Sequence, residues 1–175
     1  MKRRLQSSHE PHACVVLGVD TAQVSGWCQL ANGLFVASGE FDVLKYPALL
    51  AVMCESALAV GRCNSLPAVL VYERPFMGTA QGQYIGAWKA AWAAAGGVRT
   101  RTLGVYPSQW RARVLGGGWA RAGREQVREM EAHAAQLTAG RVCQPDEAAA
   151  VLIAKWGSHA GEVLAKLPKS MRGAA

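Results

Sequence analysis

Residues 69–78 read VLVYERPFMG, an apolar run that stops abruptly at Glu73-Arg74-Pro75-Phe76. VLVY is apolar on both alternating faces, which suits a strand at the centre of a parallel sheet covered by helices on either side. Pro75 has no N–H to give to a ladder and ends the strand. A strand built for burial therefore delivers a carboxylate, Glu73, to the end of a sheet, with an aromatic residue, Phe76, just past the stop.

The rest of the chain supplies the sheet. CVVLGVD (14–20) is a β-branched run ending in Asp20, and GWCQLA (26–31) is a second strand after the turn TAQVS. Asn32-Gly33 predicts a tight hairpin into LFVASGEFDV (34–43), so three antiparallel strands open the domain. Leu49, Leu50, Met53, Ala57 and Leu58 recur at helical spacing and predict an amphipathic helix over 47–62. GQYIGAWKAAWAAAGG (82–97) places Tyr84, Trp88 and Trp92 on one helical stripe, suited to a core or to a subunit interface. RTRTLGVY (99–106) predicts a fifth strand, and Pro107 a helix start over PSQWRARVLG. Gly116, Gly117 and Gly118 make a flexible break. Two helices follow, over about 122–139 and 145–168, the second opening on Pro145-Asp146-Glu147, where acids suit the helix dipole. The fold class expected is α/β, a mixed five-stranded sheet flanked by helices.

A chain of 175 residues, 51% of them hydrophobic, is one domain long and can bury a core without disulfides. We expect residues 13–168 to fold as that domain, with 1–12 a disordered basic leader and 169–175 a flexible tail. A net charge of +7 favours a polyanionic partner. No apolar run is long enough for a membrane span, and MKRRLQSSHEPH lacks the apolar segment of a signal peptide. Cys14, Cys28, Cys54, Cys63 and Cys143 include no C-x-x-C pair, so buried thiols in a reducing cytoplasm account for them better than zinc.

Asp20, Glu73 and Asp146 all lie at element ends. If the first and fourth strands are neighbours, Asp20 and Glu73 meet at the carboxyl edge of the sheet, where open α/β sheets bind ligands. Two carboxylates about 5 Å apart repel by roughly 3 kcal/mol at an effective dielectric near 20. A divalent cation removes that cost, and a set of hard oxygen ligands favours Mg²⁺ or Mn²⁺ over zinc. Taken singly, the three acids read equally well as a turn residue, a strand end and a helix cap.

Taken in order, the segments resemble the RuvC-type Holliday junction resolvases of the RNase H-like superfamily. GVDTAQVSGWCQL is similar to that family's first hairpin, VYERPFMG to its second motif, VYPSQWRARVLG to the approach to its third helix, and PDEAAAVLIAKWG to its terminal helix. The resemblance spans about residues 14–160 and implies an RNase H-like nuclease domain of bacterial or phage type, acting in the cytoplasm, with an organellar source left open. It implies Asp20, Glu73 and Asp146 as ligands of two Mg²⁺ or Mn²⁺ ions, Phe76 as an aromatic that stacks on junction bases, Arg124 near the scissile phosphate, and a homodimer acting on four-way DNA junctions. Arg74, Arg111, Arg113, Arg121 and Arg128 complete a basic set suited to phosphates.

One position departs from the family pattern. The family carries a fourth acid three residues after the first on the terminal helix, and here Ala149 stands there. Glu147 is adjacent in sequence but about 100° away around the helix. The resemblance therefore leaves two readings: a metal-dependent junction endonuclease weakened by Ala149, and a non-catalytic branched-DNA-binding protein of the same fold. An actin-like kinase or ATPase also opens on a strand, an Asp and a hairpin, but needs two such domains and a Gly-rich nucleotide motif.

Overall fold

The computed structural model describes residues 11–74, 81–98, 101–115 and 124–167. Asn32 and Gly33 both take positive φ, 50° and 74°, which is the backbone of the mirror-image turn that matches strand twist. They join β2 (Val24–Ala31) to β3 (Leu34–Asp42), and β2 also pairs antiparallel with β1 (Val15–Asp20). On its other side β1 pairs parallel with β4 (Ala68–Glu73), and β4 with β5 (Thr102–Val105). The sheet order is β3-β2-β1-β4-β5; its antiparallel opening followed by parallel strands is as the sequence predicts, and β1 and β4 are neighbours.

Helices cover both faces. Val15, Leu17 and Val19 of β1 alternate into one core, with Leu70 and Tyr72 of β4, under α1 (Pro47–Cys63) and α2 (Gln81–Ala94). Val16 of β1 and Val69 and Val71 of β4 point into the opposite core, under α3 (Pro107–Leu115), α4 (Arg124–Leu137) and α5 (Pro145–Gly157). Every residue of α5 from Glu147 to Ala154 is buried, because this helix lies between the sheet and α3 and α4. A Cβ at Gly26 would sit 1.9 Å from the Asp146 carbonyl oxygen, and one at Gly18 2.5 Å from the Ala154 nitrogen. The small residues of β1 and β2 thus let α5 rest on the sheet backbone itself.

One expectation from the sequence changes, and one choice it left open is decided. The helix over 145–168 is interrupted: α5 ends at Gly157 and a single turn, α6 (Gly161–Leu164), follows. The carbonyls past the break are taken by other partners, since His12 N–H donates to Ser158 O at 2.7 Å and His12 Nε2 to Ala160 O at 2.9 Å. The Tyr84, Trp88 and Trp92 stripe is core, not a subunit interface: Trp88 and Trp92 are fully buried, Trp88 packs 5.9 Å from Phe41, and its Nε1 donates to Ser25 Oγ. Removing such a side chain typically costs about 3–5 kcal/mol in folding alone. The five cysteines are unpaired, and only Cys63 is exposed.

Candidate active site

The β1–β4 pairing sets Val19 opposite Tyr72, so Asp20 and Glu73, the next residue on each strand, share the carboxyl edge. Val19 and Tyr72 face the α1/α2 core. By strand alternation Asp20 and Glu73 therefore project to the opposite face, toward the start of α5. There Asp146 occupies the second position of the helix, its backbone seated on Gly26. Thr21 Oγ1 donates to the Glu73 carbonyl at 2.8 Å and ties the two strand ends together.

The electrostatics follow from that convergence. Burial, then the neighbouring charges of Glu73 and Asp146, push the Asp20 carboxyl up to about 8, against the lowering pull of Arg111. Burial also raises Glu73, opposed by a hydrogen bond from Trp110 and by the charge of Arg111, and raises Asp146. Trp110 is fully buried and its Nε1 donates to Glu73 Oε2 at 2.7 Å. Arg111 Nη2 stands 3.9 Å from the same oxygen, and its guanidinium lies 5.0 Å from the Trp110 ring centre.

No protein-family model matches the sequence, and no curated protein sequence does either. Solved structures do match, two of them of one protein. A Thermus thermophilus RuvC structure superposes with a TM-score of 0.60 at 17% identity, covering 85% of this chain and 95% of that one. T. thermophilus RuvC in complex with Holliday junction substrate gives 0.61 at 15% identity, with the same coverage. The fold is that of RuvC.

Within this RuvC fold the residues singled out in the sequence fall into three groups. Asp20, Glu73 and Asp146 converge, each within electrostatic reach of at least one other. Arg111 joins them, facing Glu73 instead of standing on a separate phosphate track. Arg74 is exposed at the same edge, 5.4 Å from the ring centre of Tyr106, itself 46% exposed. Arg113 is turned elsewhere, donating to His159 O at 3.3 Å, while Arg124 and Arg128 are exposed on α4. Phe76, Arg121 and the Gly116–Gly118 break lie outside the described residues.

Ala149 is 2% exposed and its methyl is part of the core under the sheet, so no oxygen ligand stands one turn beyond Asp146. Glu147 does not replace it. Its carboxylate is buried, accepts a 2.7 Å hydrogen bond from Ser38 Oγ and forms an ion pair with Arg141, whose Nη2 also donates to Ser38 O. Among the described residues no three His, Cys, Asp or Glu side chains stand close enough to hold an ion as they are oriented. The donor set nevertheless fits a hard divalent cation: three carboxylates share one edge, and their mutual repulsion, visible in Asp20, is the charge a cation offsets.

Sequence reasoning did not single out three residues that stand at this edge. Trp110 was in plain view within VYPSQWR, but its bond to Glu73 joins residues 37 apart. Tyr106 is the residue just after β5. Glu40 of β3 faces Gly26 across the ladder, and Gly26 in turn faces Asp20. Its carboxyl is raised by partial burial and by the charge of Asp146.

Proposed function

We propose that this chain is a metal-dependent, structure-selective DNA endonuclease that resolves four-way junctions by phosphodiester hydrolysis. The observation that carries the reading is the meeting of Asp20, Glu73 and Asp146 at the carboxyl edge of a RuvC fold, where the charges of Glu73 and Asp146 add to burial in raising Asp20. One of the similar structures is RuvC in complex with Holliday junction substrate, and the net charge of +7 suits the same class of partner.

Asp20, Glu73 and Asp146 would hold Mg²⁺ or Mn²⁺ ions, which in such sites activate the attacking water and stabilise the leaving oxygen. The chain's own groups prepare that chemistry. Trp110 fixes one Glu73 oxygen by a hydrogen bond, so the carboxylate does not rotate freely at the strand end. Arg111 offsets part of the negative charge of Glu73 and Asp20 and gives the site a cation that a phosphate can approach. Arg74 on Tyr106 offers an exposed flat cationic surface beside the edge, suited to an unpaired base or a phosphate. A four-way junction has near two-fold symmetry, so symmetrical cutting calls for two copies of this site and hence a homodimer.

Ala149 favours a second reading, a branched-DNA-binding protein that has lost catalysis. Single-turnover cleavage of a four-way junction and of a linear duplex, with Mg²⁺ and with Mn²⁺, separates the two. Metal-dependent cleavage of the junction that disappears in Asp20→Asn supports the nuclease. Junction-selective binding without cleavage under either metal leaves the binding protein.

A further inference from the structure

We infer that Glu40 supplies the carboxylate that the terminal helix lacks, so that the metal site is completed from β3 instead of from α5. This inference rests on the proposed metal site. Asp20, Gly26 and Glu40 form one row across three adjacent strands, on the face that α5 covers. The middle member has no side chain, and its space is filled by the Asp146 backbone. In the first turn of its helix, Asp146 thus lies over the middle of the row, between the two outer carboxylates.

The dimensions of the row suit this role. Strands stand about 4.8 Å apart, which puts the Asp20 and Glu40 backbones roughly 10 Å from each other. Carboxylate sites for two ions span about 8 Å between their outermost oxygens, since the ions stand about 4 Å apart and Mg–O distances are about 2.1 Å. Two other acids near this row are committed elsewhere: Glu147, at the start of α5, to Ser38 and Arg141, and Asp42, at the end of β3, to Gln23 Nε2 and the N–H groups of Leu44 and Lys45. Glu40 is exposed, has an extra methylene of reach compared with Asp, and is flanked by Gly39 on an edge strand that leaves it room to turn.

The test is Mn²⁺ binding to the full chain without DNA, measured by electron paramagnetic resonance of free Mn²⁺ and by thermal midpoint against Mn²⁺ concentration. Four proteins are compared: the unaltered chain, Glu40→Gln, Asp20→Asn, and Glu55→Gln, which removes one exposed carboxylate from α1 on the other face. Glu40→Gln is expected to weaken Mn²⁺ by at least about tenfold or to lower its stoichiometry, with an unchanged metal-free midpoint, while Glu55→Gln binds as the unaltered chain does. Unchanged Mn²⁺ affinity in Glu40→Gln, beside a clear loss in Asp20→Asn, overturns the role of Glu40 and leaves the metal site standing. Equal weakening in Glu40→Gln and Glu55→Gln overturns it too, as a general charge effect. Mn²⁺ binding that is untouched by Asp20→Asn overturns the metal-site reading itself.

Discussion

The indole N–H of Trp110 and the carboxylate of Glu73 meet at 2.7 Å, so a residue with no charge of its own fixes the orientation of a charged one at the mouth of the sheet. Replacing Trp110 by Phe removes the donor and part of a fully buried ring. We expect a stability loss of about 1–3 kcal/mol. We also expect Mn²⁺ affinity to fall by roughly tenfold or more, because Glu73 loses its fixed rotamer. Chemical denaturation and a metal titration, run on the same preparation, separate the two effects. Weaker folding with unaltered metal affinity shows that Trp110 only packs.

Asp20 makes the metal-free protein sensitive to alkali. Its folded-state pKa is about 8, while an unfolded Asp titrates near 3.9. Because the folded pKa is the higher one, the stability linked to the bound proton is fully present below about pH 4 and is lost as pH rises to about 8. Asp20→Asn should flatten this slope and raise the metal-free midpoint at pH 8, by about 2–4 °C for each kcal/mol of repulsion relieved. Saturating Mg²⁺ should stabilise the unaltered chain and not the variant. A variant less stable than its parent at pH 8 without metal contradicts the repulsion argument.

Ala149→Asp restores an acid at a position that is 2% exposed. Without metal the new carboxylate is buried beside Asp146, and stability should fall by about 1–3 kcal/mol. Mn²⁺ should recover most of that loss. If Glu40 already completes the site, junction cleavage should rise no more than about tenfold. A rise near 10³-fold, equal to about 4 kcal/mol of barrier, would instead return the missing ligand to the terminal helix.

The Glu147–Arg141 pair holds the β3 backbone to the segment before α5 through Ser38. Arg141→Met leaves a buried carboxylate with Ser38 Oγ as its remaining donor. Enclosed pairs broken from one side cost about 3–5 kcal/mol; with Arg141 46% exposed, about 2 kcal/mol is expected. The thermal midpoint should then drop by roughly 4–8 °C. A drop within 1 °C would show that solvent screens the pair.

On DNA, affinity for a four-way junction should fall linearly with log salt, with a slope of about −0.9 for each phosphate neutralised. Arg128→Ala, on the exposed face of α4, should reduce that slope by about one if Arg128 meets the backbone. Competition by linear duplex at equal affinity would reduce the interaction to general polyanion binding.

Strand ends and an Asn-Gly turn were enough to read the strands from sequence, because alternation and turn chemistry are local, whereas Asp20, Glu73 and Asp146 were grouped through the resemblance of the ordered segments to RuvC-type resolvases. What escaped is mostly non-local. The Trp110–Glu73 bond and the Glu40–Gly26–Asp20 row join residues far apart in the chain, and nothing in SGEFDV marks Glu40 as different from any edge-strand acid. The break after Gly157 escaped because AKWGSHAGE contains no proline, and the helix stops where His12 takes its carbonyls. Arg111 has the composition of a phosphate contact, and only the packing of α3 turns it toward Glu73.

Gly26 contributes no chemical group to the site, yet the seat it offers decides where Asp146 stands. With 1.9 Å between a notional Cβ and the Asp146 carbonyl, even alanine would have to lift the first turn of α5 by more than an ångström. Every acid would still be present, titratable and paired as before, but the helix that carries one of them would be mis-set against the strands that carry the others. The site is therefore open to inactivation by a change that adds a methyl group and removes nothing, a lesion that an inventory of its acids would not reveal.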